Sequence, residues 1–584
     1  MVRFLVRYRS DRSRDCSENA LEEPIDMLDI FPVLASIEMG NAPLVILALY
    51  MVMLLSFGVV AYLRSQSSEE DFYLAGRGQG VLVTALTIMA TMFSSAAMLG
   101  IPGLIYKDGL SFIFFALNLP FSGAAVYVIG SRVWRLGQKR GYMTPADLIA
   151  DYYGGSSLLR CLVALTGALY VIPYIVMQIK AGGYLAQRMF PDAEAITLFG
   201  KSFAIFETGV MALSVLTMLY VLIGGMRSVA WTDVVQGLLL LSGMIIAGLA
   251  TVTALGGPKS FFEEIAALPA EALSLPGPSG AWSPWKLMTI CMFSSLATMI
   301  QPGQWIRYYA ARSTETLKRS ALIFAILLPI CFLFGVMLVA LGARAIYPPI
   351  LEGGVMLPHP AIGSQSDEFD QVVIALLQEH IPLLLGPAVG VVIVSLILVA
   401  IVAASMSTAD SNLHALSAVL TRDVYDKFVR TNASEREKTW FGRAVIVVTT
   451  LLALWLVMLG ENNPDFQPLA LIAQLMFVAM AFSCQLLPLA IDALFIRKGT
   501  QTGAICGIIA GIGTVFLFTP FPALLMGEGS FSSLAHLTKA LSGLFDIGFC
   551  GFFVNTIVFV VVSKYTTSPS PERVAAFEND LKSP

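Results

Sequence analysis

Thirteen stretches of mostly apolar residues, each close to the length of a membrane-spanning helix, run through this 584-residue chain. A helix needs about 20 such residues to cross the hydrocarbon core of a bilayer. Charged residues make up only 13% of the chain, against roughly 25% in an average soluble protein. We therefore predict an all-α polytopic membrane protein with about 13 transmembrane helices. The stretches are 44–63, 80–106, 112–131, 161–182, 203–224, 231–255, 287–302, 320–343, 382–420, 444–460, 469–495, 502–526 and 543–563.

The distribution of lysine and arginine predicts the orientation of these helices. If the amino end of the first helix lies outside the cell, most of the 36 Lys and Arg residues fall in segments that face the cytoplasm, Arg307 among them. This excess agrees with the positive-inside rule. We expect a multi-pass protein of the plasma membrane, or of the inner membrane in a Gram-negative cell, with the carboxyl-terminal tail (564–584) in the cytoplasm.

The amino-terminal tail, residues 1–43, conflicts with an external amino end because it contains five arginines. Two interpretations stay open. The tail is a disordered extension, or the reading frame begins at Met39, where MGNAPLVILALYMVM leads directly into the first helix. The tail lacks the apolar core that a cleavable signal peptide needs.

Several functional classes are disfavoured by motifs that the sequence lacks. Its seven cysteines are scattered without a CxxC pair or a Cys/His cluster, and the chain has four histidines. It contains no HExxH, GxxxxGK[ST] or GxSxG motif, which disfavours a metalloenzyme, a nucleotide-driven pump and a serine hydrolase. We expect a protein that is not an enzyme and has no organic cofactor, no nucleic-acid partner and no obligate protein partner.

Two long loops, 256–286 and 347–381, are predicted on the external side. Neither has the character of a domain, and loops of this size on a helical bundle are usually lids or short interfacial helices. We expect an interfacial helix over 261–273.

One internal repeat indicates how the membrane helices are arranged. The sequence MFSSAAMLGIPG at 92–103 returns as MFSSLATMIQPG at 292–303. Both copies place Ser, Gly and Pro within an apolar stretch, and in the predicted topology they run in opposite directions. Paired broken helices of opposite direction are typical of inverted-repeat transporters, in which freed backbone groups bind ion and substrate near the membrane midplane. Two proline-kinked helices without a ligand, or a chance similarity, are the alternatives.

Hydroxyl groups and a carboxylate gather in the segment 401–427. Oxygen ligands of this kind suit a hard cation such as sodium, although any single hydroxyl could serve only in helix packing. Asp410 in this segment and Asp233 in the stretch 224–237 are intramembrane acids that could share a cation or carry a proton. Asp233 could alternatively cap an interfacial helix. The small and hydroxyl residues that share one helix face are Ala404, Ser407, Thr408 and Ser411.

Four motifs, in this order, resemble those of the sodium:solute symporter family. The resemblance covers residues 44–563 and implies the LeuT-type fold. That fold consists of two inverted five-helix repeats, here 80–255 and 287–495, preceded by one helix and followed by two. The motifs are DFYLAGRGQG (71–80), TMFSSAAMLGIPGLIYKDGL (91–110), GGMRSVAWTDVVQG (224–237) and AASMSTADSNLHALSAVLTRDVY (403–425).

The resemblance also implies where the ions bind. The main sodium site would use backbone carbonyls of Ala90, Phe93 and Ala404 and the hydroxyls of Ser407 and Thr408. Some members of the family hold a second sodium at positions that match Asp233, Ser407, Asp410 and Ser411. Those members have serine where this chain has Asp410, so a proton in place of the second sodium stays open.

The substrate is expected to be a small carboxylate. Sugar carriers of the family use polar side chains along the broken helices, where this chain has Met92, Ala97, Leu296 and Met299. Backbone amides around 100–103 and 301–304 could bind an anion without an arginine. The stretches 141–159 and 171–183 also resemble the monocarboxylate, proline and pantothenate carriers of the family. The predicted substrate residues are Ser94, Ala97, Gly100, Met299, Gln301 and Gln304.

These patterns favour a sodium-coupled symporter that imports a monocarboxylate, or an amino acid such as proline, by alternating access. A proton-coupled carrier that uses Asp233 and Asp410 is the alternative within transport. A transporter-like sensor is the alternative from another class, but the tail 564–584 leaves no room for a signalling domain.

Overall fold

The structure is a computed structural model that describes residues 40–63, 68–190, 195–198, 200–353, 355–363, 368–462, 472–519 and 532–582. The predictions for the amino-terminal tail fall mainly on residues 1–39, which lie outside the described residues. Helices dominate the described chain, and its strands form two short hairpins. The predicted all-α class is therefore confirmed.

In the first half of the chain, the described residues form ten helices and one hairpin, joined by 3₁₀ and π-helical turns such as Ala96–Gly100, Gly109–Leu117 and Val126–Gly130. The helices are α1 Ala42–Leu63, α2 Glu69–Leu74, α3 Val81–Met92, α4 Ile101–Asp108, α5 Asn118–Ala125, α6 Ser131–Arg140, α7 Pro145–Tyr152, α8 Ser157–Met189, α9 Ile205–Ala254 and α10 Pro258–Ala266. The antiparallel hairpin consists of β1 Ala195–Leu198 and β2 Lys201–Ala204.

In the second half, the described residues also form helices joined by π-helical turns. These turns are Ile290–Ser294, Phe332–Leu338, Leu420–Val429 and Asp492–Ile496. Its helices are α11 Pro284–Thr289, α12 Ser295–Ile300, α13 Pro302–Ala310, α14 Thr314–Cys331, α15 Val339–Ile346, α16 Val372–Leu385, α17 Pro387–Val419, α18 Glu435–Asn462, α19 Ile472–Ser483, α20 Leu487–Ile491, α21 Gln501–Phe518, α22 Ser532–Leu544, α23 Ile547–Lys564 and α24 Pro571–Lys582. The second hairpin consists of β3 Ile350–Glu352 and β4 Val355–Leu357.

Ten helical runs among the described residues are long and apolar enough to cross a membrane. One of them, Ile205–Ala254, has 50 residues and covers two predicted spans. Ala96–Arg140, with 45 residues, covers the second half of the first broken helix and the whole predicted span 112–131. The second broken helix adds a further pass, since it is not a single long helix. The described residues thus accommodate the predicted plan of about 13 transmembrane helices.

A single glycine separates the two spans within α9. Gly225 has a positive φ of 55° and ψ of −160°, which breaks the helical geometry. A Cβ atom at this position would lie 2.8 Å from the Phe72 ring and 3.0 Å from the Phe72 carbonyl oxygen. Only glycine accommodates both this backbone conformation and this approach.

The paired broken helices that the repeat predicts are present, but the breaks lie at opposite ends of the two copies. In the first copy, α3 is followed by the extended residue Phe93 (φ −83°, ψ 95°), and the helix resumes at Ala96. In the second copy the extended residue is Gln301 (φ −63°, ψ 153°), and Pro302 begins α13. Pro102 of the first copy lies within continuous helix, so it is not the point of the break.

The two long loops hold short elements. The interfacial helix expected over 261–273 is instead two pieces, α10 and a 3₁₀ turn at Ala270–Leu273, because Pro269 interrupts the helical backbone. Phe261 and Ile265 are buried, so α10 packs its apolar face against the protein. The loop 347–381 contains the second hairpin and the beginning of α16.

The carboxyl-terminal tail contains a helix, α24, that packs on the ends of α6 and α7. Phe577 of α24 is fully buried, and its ring centroid lies 5.2 Å from that of Tyr152. The Arg140 guanidinium lies 4.0 Å above the same ring and donates a 2.7 Å hydrogen bond to Asp580. Aromatic burial and a cation–π contact therefore dock this helix.

Replacing Phe577 with alanine should release α24 from the protein, because truncating a buried aromatic side chain costs about 3–5 kcal/mol. The loss is local, so amide hydrogen exchange, followed by mass spectrometry, should quicken in α24 and α7 and stay unchanged in α17. Glu572→Ala, at an exposed position of the same helix, is the control. Equal exchange in the two variants would contradict the docking.

Candidate ion and substrate sites

The hydroxyl-rich helix α17 contacts the first broken helix at its break. The Ser407 hydroxyl donates a 3.0 Å hydrogen bond to the Ala90 carbonyl, and the Thr408 hydroxyl lies 3.2 Å from the same oxygen. The Ser407 hydroxyl also lies 3.1 Å from the Ala404 carbonyl. All these residues are fully buried, and Phe93 is the extended residue of the same break. Four of the five residues predicted to bind sodium thus form one cluster of oxygen atoms, and the fifth adjoins it.

A buried ion pair lies beside this cluster. Arg307 of α13 and Asp233 of α9 are joined by a 3.0 Å contact, with 1% and 0% of their side chains exposed. The Thr87 hydroxyl donates to Asp233 and accepts a 2.9 Å hydrogen bond from Arg307 Nε. Arg307 also donates to the Ser411 hydroxyl. Arg307 counts toward the predicted cytoplasmic excess of basic residues, but its guanidinium is buried against Asp233 and does not lie on an exposed segment.

Asp410 has a different environment from Asp233. The Tyr220 hydroxyl donates a 2.5 Å hydrogen bond to one carboxyl oxygen of Asp410, and the Ser411 hydroxyl lies 3.0 Å from the other. Ser411 also donates to the Ser407 carbonyl at 2.5 Å. All four residues predicted for the second cation therefore lie together. With both carboxylates ionised and one guanidinium between them, this acid cluster carries one net negative charge, which leaves a place for one further cation or proton.

A cavity beside the first break is lined mainly by apolar side chains. Of the predicted substrate residues, Ser94 and Ala97 line it. Three polar residues that the sequence analysis missed, Asn118, Tyr174 and Thr298, also line it. The apolar lining residues are Met92, Phe93, Ile101, Phe115, Leu119, Leu328, Phe332, Met476 and Met480.

The other predicted substrate residues have other surroundings. Gly100 allows α19 to approach, since a Cβ there would lie 2.9 Å from the Ala473 amide nitrogen. The Met299 carbonyl accepts a 3.0 Å hydrogen bond from the Tyr308 hydroxyl. Gln301 and Gln304 are buried on the second broken helix.

The amides expected to bind an anion around 100–103 are not at a helix end. Residues 96–108 form continuous helix, the Ile101 amide donates to the Ala96 carbonyl, and Pro102 has no N–H. Those N–H groups are therefore used within the helix. The break near 301–304, in contrast, does begin a helix, α13.

A network of charged side chains lies on the side predicted to face the cytoplasm. Arg160 of α8 contacts Asp147 at 2.8 Å and Asp423 at 2.6 Å. Arg422 contacts Asp147 at 2.8 Å and Glu69 at 3.5 Å. The residues belong to α2, α7, α8 and the π-helical turn after α17, so the network joins segments that are distant in sequence.

Two carboxyls of this network, those of Asp147 and Glu69, have pKa values shifted in opposite directions. Burial by itself raises the pKa of Asp147, but the guanidinium groups of Arg422 and Arg160 outweigh burial and hold this pKa below its ordinary value. Burial raises the pKa of Glu69 above its ordinary value, although Arg422 opposes the shift. Glu69 is therefore protonated at a higher pH than Asp147.

The fold and the buried oxygen cluster define a secondary transporter built on an inverted repeat around two broken helices. A model of the sodium:solute symporter family matches residues 72–511. The chain belongs to that family, and its fold is the LeuT-type arrangement. It is a multi-pass membrane protein.

Relatives match over nearly the whole length. The sodium/proline symporter of Escherichia coli (strain K12) is 28% identical over 534 residues, which cover 90% of this chain and 94% of that protein. The osmoregulated proline transporter OpuE of Bacillus subtilis (strain 168) is 26% identical over 537 residues, covering 90% and 95%. A Na⁺-coupled sialic acid symporter, solved in a substrate-bound outward-open state, has a TM-score of 0.69 at 19% identity over 91% of this chain and 99% of that one. The last similarity shows a shared fold.

Replacing Asp147 with asparagine should lower the thermal midpoint of the purified protein, since breaking a buried ion pair costs about 3–5 kcal/mol. The folded-state pKa of Asp147 is depressed, so its stabilisation is present above about pH 4 and is lost only as the pH falls through the folded value. The difference between wild type and Asp147→Asn should therefore persist when the pH is lowered from about 8 to about 5.5. Glu315→Gln, in an exposed pair with Arg319, should change little. A difference that disappears at the lower pH would contradict an ionised Asp147.

Asp233 and Arg307 should show energetic coupling in a double-mutant cycle. Asp233→Asn leaves a buried guanidinium without its counter-ion and should cost about 3 kcal/mol. Arg307→Gln should cost a similar amount, while Asp233→Asn with Arg307→Gln should regain at least half of the summed loss because neither charge is left unpaired. Thermal midpoints of the four proteins in detergent measure the coupling, and additive losses would show that the pair is independent.

Proposed function

We propose that this chain imports proline, or a closely related small amino acid, by sodium-coupled symport. The observation that carries the proposal is the convergence of the Ser407 and Thr408 hydroxyls on the Ala90 carbonyl at the break of a membrane helix. The named relatives of two bacterial genera, both proline transporters, support the choice of substrate.

Sodium binding at this place follows from the chemistry of the oxygen atoms. The hydroxyls of α17 are hydrogen-bonded to the Ala90 carbonyl at the break and, for Ser407, to the Ala404 carbonyl of α17, away from water. A sodium ion between them would take the lone pairs of both and hold α17 against the broken helix. Because the ion binds one arrangement of these helices better than the other, it shifts the population toward the state that accepts substrate.

The cavity lining supports a small substrate with an apolar body. Apolar side chains form most of its walls, and polar groups from Ser94, Asn118, Tyr174 and Thr298 can hydrogen-bond a carboxylate and an ammonium group. The rings and methyl groups around them suit a pyrrolidine ring. This lining offers too few polar groups for the hydroxyls of a hexose.

We place the network around Asp147 and the helix α24 on the cytoplasmic side, and the amino end of α1 outside. This orientation follows the predicted excess of lysine and arginine in cytoplasmic segments. In this arrangement substrate enters from the side of the two long loops and leaves past the network.

Proton coupling is the second candidate. It rests on the surroundings of Asp410, whose two carboxyl oxygens contact the hydroxyls of Tyr220 and Ser411. Asp410 is fully buried, and a buried carboxyl whose charge is not directly paired with a cation gains from binding a proton, so an inward proton gradient could replace the sodium gradient.

Uptake of radiolabelled proline into proteoliposomes distinguishes these functions. An inward sodium gradient should drive accumulation, and an inward potassium gradient of equal ionic strength should not. Accumulation driven by a pH gradient in the absence of sodium would support the second candidate. Accumulation with neither gradient would contradict both.

Ser407→Ala and Thr408→Ala should each raise the sodium concentration for half-maximal uptake by about tenfold, because each removes one oxygen ligand. Ser405→Ala is the matched control on the same helix, since the Ser405 hydroxyl bonds to the Ile401 carbonyl and does not contact the break. An unchanged sodium dependence in both test variants would remove these hydroxyls from the site.

A further inference from the structure

We propose that Gln178 is a positioning residue that couples sodium binding to substrate binding, by anchoring the second half of the first broken helix to α8. This inference rests on the proposed function. It concerns a side chain that does not itself line the cavity and is not one of the predicted sodium ligands.

The Gln178 side chain is held in one orientation. It is fully buried, and its NH₂ group donates to the Tyr174 carbonyl one turn earlier in α8, at 3.3 Å. Its oxygen therefore points to Ser95. That oxygen accepts a 3.0 Å hydrogen bond from the Ser95 backbone N–H and lies 2.9 Å from the Ser95 hydroxyl.

The Ser95 N–H at the break needs a hydrogen-bond acceptor from outside its own helix. The first N–H groups of a helix have no acceptors within that helix, and leaving one unpaired in a buried membrane site is costly. At the start of the second half, the Ser94 hydroxyl accepts from the Ala96 N–H at 3.2 Å, while the Ser95 N–H is satisfied by Gln178. A side chain from another helix thus fixes the point from which the second half begins.

Gln178 contacts the first broken helix at Ser95, a short way along the chain from Ala90, whose carbonyl is a predicted sodium ligand. On one side, the Ala90 carbonyl faces the hydroxyls of α17. On the other side, Ser95 is tied to α8. Between these two points lie residues 91–94, of which Met92, Phe93 and Ser94 line the cavity.

This placement explains how one site would affect the other. A sodium ion that shifts the Ala90 carbonyl changes the backbone of the break. If Ser95 is held, the change is confined to residues 91–94 and reshapes the cavity that they line. If Ser95 is released, the second half of the helix can follow as a rigid body, and the cavity keeps its shape.

Gln178 also connects two walls of the cavity. Tyr174, which accepts its hydrogen bond through the backbone, lines the cavity from α8, and Ser94 lines it from the broken helix. The relative position of these two polar groups therefore depends on the Gln178 contact with Ser95.

Equilibrium binding of radiolabelled proline to the purified full-length protein, in sodium and in potassium at equal ionic strength, tests this role. The ratio of the two Kd values is the coupling factor between ion and substrate. Gln178→Ala should reduce this ratio by about tenfold, since it removes two hydrogen bonds at the break. Sodium binding without proline, followed by the shift in thermal midpoint, should change less than about twofold.

Two further variants keep the test independent of folding. Ser95→Ala retains the backbone hydrogen bond and removes the hydroxyl, so it should reduce the ratio by about threefold. Gln178→Glu, as the neutral acid, retains an acceptor oxygen for Ser95 and a donor for the Tyr174 carbonyl and should keep most of the coupling. Thr166→Val is the control, because the Thr166 hydroxyl is buried on α8 and bonds to the Leu162 carbonyl, away from the break.

The outcomes separate this inference from the proposed function. A wild-type protein whose proline binding does not respond to sodium would overturn the proposed function. A wild-type response that persists unchanged in Gln178→Ala and Ser95→Ala would overturn only the role of Gln178. An equal loss in Thr166→Val, or a loss of sodium binding itself in Gln178→Ala, would also overturn that role, since either result indicates general damage to the fold.

Discussion

The contact between the α17 hydroxyls and the Ala90 carbonyl is the interaction on which the rest of this structure depends. A bilayer offers no water to backbone groups, so a helix can break inside it only where other parts of the protein satisfy the freed donors and acceptors. Ser407 and Thr408 supply that partner for the carbonyl on one side of the break, and Gln178 supplies it for the amide on the other. The same oxygens that make the break tolerable form the predicted ion site.

Charged side chains in the interior likewise need partners from other helices. Asp233 is paired with Arg307 and hydrogen-bonded by Thr87, which is how a buried charge becomes acceptable. Asp410 is held by hydroxyls, and Ser411 joins the two acids. The acid cluster is therefore a single electrostatic unit, in which a change at either carboxyl alters the field at the other.

Sequence patterns anticipated much of the fold and part of the site. The apolar stretches indicated the helices, and the repeat indicated the pair of broken ones, because length, hydrophobicity and the misplaced Ser, Gly and Pro are local signals. The repeat did not indicate at which residue each break lies: Pro102 is helical, and Phe93 and Gln301 are the extended residues. A proline shows where a hydrogen bond is missing, but neighbouring helices decide where the backbone leaves the helix.

Arg307 also shows that sequence patterns do not reveal which side chains meet in the interior. Arg307 counts toward the positive-inside excess in the sequence, and only the fold reveals that its guanidinium lies against Asp233. Asn118, Tyr174 and Thr298 around the cavity have no common spacing that would reveal them, since they come from three different helices. Gln178 carried a weak signal as an uncharged polar residue within an apolar run.

The sequence by itself determined that this chain spans a membrane as a bundle of helices, that two of them are interrupted, and that α17 presents hydroxyls on one face. These properties depend on composition and on the 3.6-residue period of a helix, both of which are local. Tertiary structure alone decided which backbone groups those hydroxyls meet, which acid receives the arginine and which helix holds Ser95. Such pairings join residues up to hundreds of positions apart, and they are set by which unsatisfied buried groups come within hydrogen-bonding distance once the helices pack.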